Sequence, residues 1–102
     1  MGIHRLFPLA VFGLAALVAA TPAGAEDKAA RNMAATCTGC HGTNGVSSGG
    51  IPTIAGTEKD RIVTLMKEFR DGKRPATVMH QHAKGYTDEQ IEAIAAWFAA
   101  RK

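Results

Sequence analysis

Strand-like alternation, internal repeats and low-complexity runs are all missing from these 102 residues, which leaves helices and loops as the building material. Long apolar runs are scarce as well. The longest, Leu6 to Ala20, is broken by Pro8 and Gly13 and falls short of the ~18 residues of a membrane span. There are only two cysteines, Cys37 and Cys40, and a disulfide between them would close a very small loop and stabilise little. The glycine-rich stretch 42–56 ends in no Gly-Lys-Ser/Thr pattern, so a phosphate cradle has no footing there. Charge of one sign is lacking too: 12 basic and 9 acidic side chains give +3, a balance that carries no argument for a nucleic acid or a membrane surface as partner.

What is present begins with a leader. His4 and Arg5 form a short basic region, Leu6 to Ala20 an apolar one, and Ala23-Gly24-Ala25 a small-x-small cleavage site before Glu26. This is the pattern of a secretory signal peptide over residues 1–25. The mature chain is then expected to be residues 26–102, without a membrane span, working in the bacterial periplasm. Those 77 residues make one small domain with a thin core, a size that usually requires a staple such as a disulfide, a metal or a bound cofactor. Loss of Arg5 leaves 11 basic and 9 acidic side chains, a formal charge of +2.

The staple is named by Cys37-Thr38-Gly39-Cys40-His41. Two thiols separated by two residues and followed at once by an imidazole are the attachment signature of a c-type haem. Each sulfur adds to one vinyl group, and His41 is left beneath the iron as a ligand. A thioredoxin-like site shares Cys-x-x-Cys but sits in a βαβ context, and no strand pattern precedes Cys37. A zinc site needs two further ligands, and the remaining mature-chain imidazoles, His80 and His82, have a spacing unlike the usual pair.

Three helices are expected. Glu26 to Thr36 has acids in its first turn and Ala29, Ala30, Met33 and Ala34 on one side. Thr57 opens a second, with Asp60 completing a capping-box pattern, Ile62, Leu65, Met66 and Phe69 at helical spacing, and Gly72 as its stop. Thr87 opens the third with Gln90, followed by a stripe of Ile91, Ile94, Ala95 and Phe98. Trp97 and Phe98 are expected to pack in the core against the Ala30 and Met33 side of the first helix. Residues 42–56 and 73–86 read as loops, the first with five glycines and Pro52, the second with Pro75, Met79, His80 and His82. The fold class is all-α, about three helices wrapped around one cofactor.

In this order the chain resembles the small soluble class I cytochromes c over its whole mature length. Phe69-Arg70-Asp71-Gly72-Lys73-Arg74-Pro75, and Met79 through Ala83-Lys84-Gly85-Tyr86, look more specifically like the cytochrome subunit of flavocytochrome c sulfide dehydrogenase and like single domains of the dihaem cytochrome c4 group. The resemblance implies one covalent haem c on Cys37 and Cys40 and His41 as proximal iron ligand. It further implies that the Pro52 carbonyl accepts the His41 Nδ1 hydrogen and that Met79 is the distal iron ligand. Met66, His80 and His82 remain alternatives for that distal position. Met66 belongs to the apolar stripe of the middle helix, which gives it a packing role. The two histidines depart from the related proteins, which tend to carry a small residue and an apolar one there, and their plain reading is that of solvated loop residues.

With His41 and Met79 both on iron, no coordination position stays open and one-electron transfer is the remaining role. The function implied is a periplasmic electron carrier rather than an enzyme, either free or as the haem subunit of a flavoprotein dehydrogenase acting on reduced sulfur. A downstream oxidase or cytochrome would take the electron onward. Two alternatives stand beside it: a haem enzyme or gas sensor with a labile distal ligand, and a thiol-disulfide oxidoreductase without haem. Lys73, Arg74, Lys84 and Arg70 surround the methionine segment as a candidate docking rim, but Glu68, Asp71, Asp88 and Glu89 are interleaved with them, the composition of an ordinary solvated surface.

Overall fold

The computed structural model describes residues 23–102, together with Gly2, Gly13, Ala16 and Leu17. The expected signal peptide, residues 1–25, otherwise lies outside the described residues. Five α-helices follow in order: α1 Ala23–Ala35, α2 Thr38–His41, α3 Lys59–Arg70, α4 Met79–Lys84 and α5 Asp88–Ala99, with a 3₁₀ turn at Thr43–Gly45. No strand occurs among the described residues. Nor is any described helix long and apolar enough to cross a membrane.

Helices α1, α3 and α5 build the core, α1 lying on α5 and α3 on both α4 and α5. The α5 stripe behaves as its spacing predicts: Ile91, Ile94, Ala95 and Phe98 are all buried. On α3 the buried face is Ile62, Val63 and Met66, whereas Leu65 and Phe69 are half-buried. The expected stripe is therefore rotated toward Val63, because α3 must meet α4 as well as α5. Trp97 packs against the core as expected, but at its edge. Its ring is partly exposed and carries the Arg101 guanidinium 3.6 Å from the ring centroid, while Phe98 takes the interior position.

Helix ends follow local chemistry in three places and depart from the expectation in two. Thr87 caps α5 in a complete box: its hydroxyl accepts from the Gln90 N–H at 3.2 Å, and the Gln90 carbonyl accepts from the Thr87 N–H at 2.9 Å. Gly72, at φ 72°, closes α3 in a left-handed turn in which its N–H donates to Phe69 O and the Lys73 N–H to Glu68 O. Arg70 ties this end of α3 to Asp88 at the start of α5 and also reaches Asp71. The hydrogen bond from Arg70, and then its charge, hold the Asp88 carboxyl below the usual carboxylate range.

The Thr57–Asp60 box does not form. The Thr57 N–H donates to Ile54 O and closes the preceding turn, so the helix starts at Lys59 behind Glu58, without a side-chain cap. The first helix starts at Ala23 rather than Glu26, where Ala23 and Ala25 supply good helix formers. The largest correction is to the second loop. Residues 73–86 contain α4, with Met79 as its first residue and Ala83 wholly buried.

Candidate functional site

The haem-attachment motif folds into one helical turn. His41 N–H donates to Cys37 O at 2.9 Å and Cys40 N–H to the same carbonyl at 3.3 Å, which sets the two cysteines at i and i+3 on one face. Thr38 steadies the turn by donating its hydroxyl to Ala35 O at 2.8 Å. No disulfide joins the two cysteines; Cys37 is half-buried and Cys40 exposed. Burial pushes the Cys37 thiol up, and the neighbouring Cys40 adds to this against an opposing contact from Thr36. A catalytic disulfide-exchange thiol has the opposite tuning, with its pKa lowered.

Immediately after His41 the chain must turn away. Gly42 does this at φ 86° and ψ 164°, a conformation open essentially to glycine alone. A Cβ there would lie 1.9 Å from the Val46 carbonyl oxygen, a backbone atom that cannot swing aside. Gly42→Ala is therefore expected to destabilise the loaded protein by more than about 2 kcal/mol, measured by denaturant unfolding. A change within about 0.5 kcal/mol would show that the turn relaxes freely.

The loop that Gly42 opens returns to His41. Ile54 and Ala55 N–H groups both donate to Gly45 O, at 2.9 and 3.1 Å, and the Ser47 N–H donates to the Thr53 hydroxyl at 2.9 Å. These ties hold Pro52, between them, with its carbonyl oxygen 2.6 Å from His41 Nδ1. A carbonyl can only accept, so Nδ1 carries the hydrogen and the Nε2 lone pair is left for a metal. The hydrogen bond also makes the imidazole a stronger ligand.

Met79 opens α4. It is half-buried and packs, like Cys37, against the core cluster of α1, α3 and α5. It lines a hollow of about 510 Å³ with Phe69, Pro75, Ala76 and Thr77. His80, one residue on, lines an adjoining hollow of about 340 Å³ with Arg70, Arg74 and Lys84, and the two hollows share Phe69 and Ala76. His82 is exposed and Met66 is buried in the core. Two of the four candidate rim cations pair with the interleaved acids, Arg74 with Glu68 at 2.8 Å and Arg70 with Asp71 and Asp88.

The residues present fit a haem. Among the described residues, and apart from Leu17, the large apolar side chains left exposed are Val46, Ile51 and Val78. All three belong to the segments carrying Pro52 and Met79, where an apolar macrocycle would cover them. Cys37 and Cys40 would hold it covalently and His41 would offer Nε2 to its iron. Sequence reasoning missed three contributors: Gly42, one glycine among five in its loop; Thr53, which braces Pro52; and a hydrogen bond of 2.8 Å between Thr36 and Tyr86. Only Gly42 left a signal, its place directly after the histidine.

Comparison with known proteins gives the same reading. A family model described as cytochrome c oxidase, cbb3-type, subunit III matches residues 24–98. The cytochrome subunit of sulfide dehydrogenase from Chlorobaculum tepidum is 48% identical over 66 residues, covering 65% of this chain and 60% of that protein. A thiosulfate dehydrogenase electron acceptor from Thiomonas intermedia is 35% identical over 96 residues, 92% of this chain and 43% of its own length. Cytochrome c4 of Pseudomonas aeruginosa is 33% identical over 101 residues, 98% of this chain and 47% of its own. The chain thus spans 60% or less of the length of each of these relatives.

Proposed function

The chain belongs to this cytochrome c family as a monohaem class I domain, an electron-transfer protein with covalent haem c, and from that premise we propose that it accepts single electrons from a dehydrogenase of reduced sulfur compounds in the periplasm. The sulfide dehydrogenase relative supports a flavoprotein as the donor, and the thiosulfate dehydrogenase acceptor supports the same substrate class. Export by the leader at residues 1–25 is part of the proposal, as is onward transfer to an oxidase or another cytochrome.

When bound, haem supplies a one-electron iron couple. The observation that carries the rest is the His41 Nδ1–Pro52 bond, which fixes the ring in the tautomer that presents Nε2. Met79, packed against the core, is the residue we assign as second ligand. His41 and Met79 together would leave no open position for oxygen, peroxide or nitrite. The soft thioether favours the reduced state relative to a second imidazole, which raises the potential.

Visible spectra of the exported protein, oxidised, reduced and reduced under carbon monoxide, test the ligand set. A low-spin spectrum unaltered by carbon monoxide is expected; a rapid shift would instead favour a gas-binding role. Reduction by sulfide is expected only when a sulfide-oxidising flavoprotein is added. Reduction that proceeds equally well without the flavoprotein would remove the argument for that donor.

A further inference from the structure

Thr36 and Tyr86 lie 50 residues apart, one directly before the first haem-binding cysteine and the other two residues beyond α4. Their side-chain oxygens are 2.8 Å apart. The direction of the bond follows from counting hydrogens. The Thr36 hydroxyl donates its single hydrogen to Met33 O at 2.8 Å, so at Tyr86 it must accept. The result is a relay from Tyr86 O–H to Thr36 O–H to the Met33 carbonyl, which joins the α4–α5 junction to the end of α1.

The two ends of α4 are held by different contacts. At its C-terminal end Ala83 is wholly buried, the Gly85 and Tyr86 N–H groups bond back to His82 O and Ala83 O, and the Tyr86 ring packs against the core. At its N-terminal end Val78 is 52% exposed and the helix has no side-chain cap. Met79 stands at that uncapped end, packed like Tyr86 against the core cluster, on a six-residue rod of ~9 Å. Whatever fixes the far end of the rod fixes the methionine.

We propose that the Tyr86–Thr36 hydrogen bond is a latch that docks the methionine segment onto the haem-binding turn, making Tyr86 and Thr36 positioning residues for Met79. The proposal rests on the ligand assignment given under Proposed function. Thr36 is exposed and Tyr86 half-buried, so water can replace a lost partner and global stability should change little. The effect falls on how often α4 lifts away.

The test follows imidazole displacing the distal ligand of the oxidised holoprotein, read as decay of the methionine-to-iron charge-transfer band. Tyr86→Phe and Thr36→Val are each expected to accelerate displacement about three- to tenfold, the factor that one net hydrogen bond is worth. The double variant should be no faster than either single one. Thr36→Ser, which keeps the hydroxyl, should retain the wild-type rate. Amide hydrogen exchange is expected to quicken in α4 and stay unchanged in α5. Wild-type rates in both single variants, additive rates in the double, or equal acceleration across α5 would overturn the latch. A wild-type protein lacking the charge-transfer band would overturn the ligand assignment and the latch together, an outcome separable from failure of the latch alone.

Discussion

Cys37→Ser/Cys40→Ser protein is expected to be colourless and to lose cooperative thermal unfolding, whereas the wild type should keep one haem through acid and organic extraction, seen by mass spectrometry. The first half follows from the thioether chemistry of the motif. The second follows from the core. Among the described residues ten apolar ones are buried, four of them alanines, and Phe98 and Ile91 are the largest side chains fully enclosed. A domain of this size draws no more than about 3–5 kcal/mol from a single core, and here Val46, Ile51 and Val78 stay open to water unless a macrocycle covers them. Removing both sulfurs removes the link that keeps that cover in place. A colourless double variant that melts cooperatively at the wild-type temperature would show that the three helices suffice alone. A wild type recovered with a Cys37–Cys40 disulfide would remove the haem assignment itself.

The parts of this structure that were legible in the sequence are those whose signals are local. Thr87 and Gln90 are three residues apart, and both halves of their box form; Ile91, Ile94, Ala95 and Phe98 repeat at the helical period, and all four are buried. Gly72 stops α3 because a left-handed turn is needed there, and glycine adopts it without strain. The five residues from Cys37 to His41 carry their chemistry in their spacing.

Helix α4 was hidden for the opposite reason. Six residues opened by Val78 show neither a cap nor a stripe, and Ala83, the one buried side chain, gives no periodicity. So short a helix is unstable alone and exists because α3 supports it, a tertiary fact that a local window does not contain. Thr57 misled because a threonine before a polar turn is a good cap in isolation, yet its N–H was already committed to Ile54 O. The Thr36–Tyr86 bond joins common surface residue types across 50 positions, so only the fold brings it into view.

Met79→Ala is expected to open the sixth coordination position. The reduced variant should bind carbon monoxide readily, the methionine-to-iron charge-transfer band should vanish from the oxidised form, and the potential should fall by on the order of 100 mV, a fraction of the roughly 0.8 V that axial ligands span. Met66→Leu provides the control. Met66 is 8% exposed on α3, so a near volume-conserving change there should cost less than about 1.5 kcal/mol and leave band, carbon monoxide response and potential unchanged. The histidines beside Met79 offer a second comparison. His80 lines the adjoining hollow with Arg70, Arg74 and Lys84 and His82 is exposed, whereas Met79 packs against the core cluster. His80→Ala and His82→Ala should accordingly keep the wild-type spectrum. If Met66→Leu or either histidine variant abolishes the band while Met79→Ala preserves it, the distal ligand is the residue whose loss removed the signal, and the helix that begins at Met79 serves packing alone.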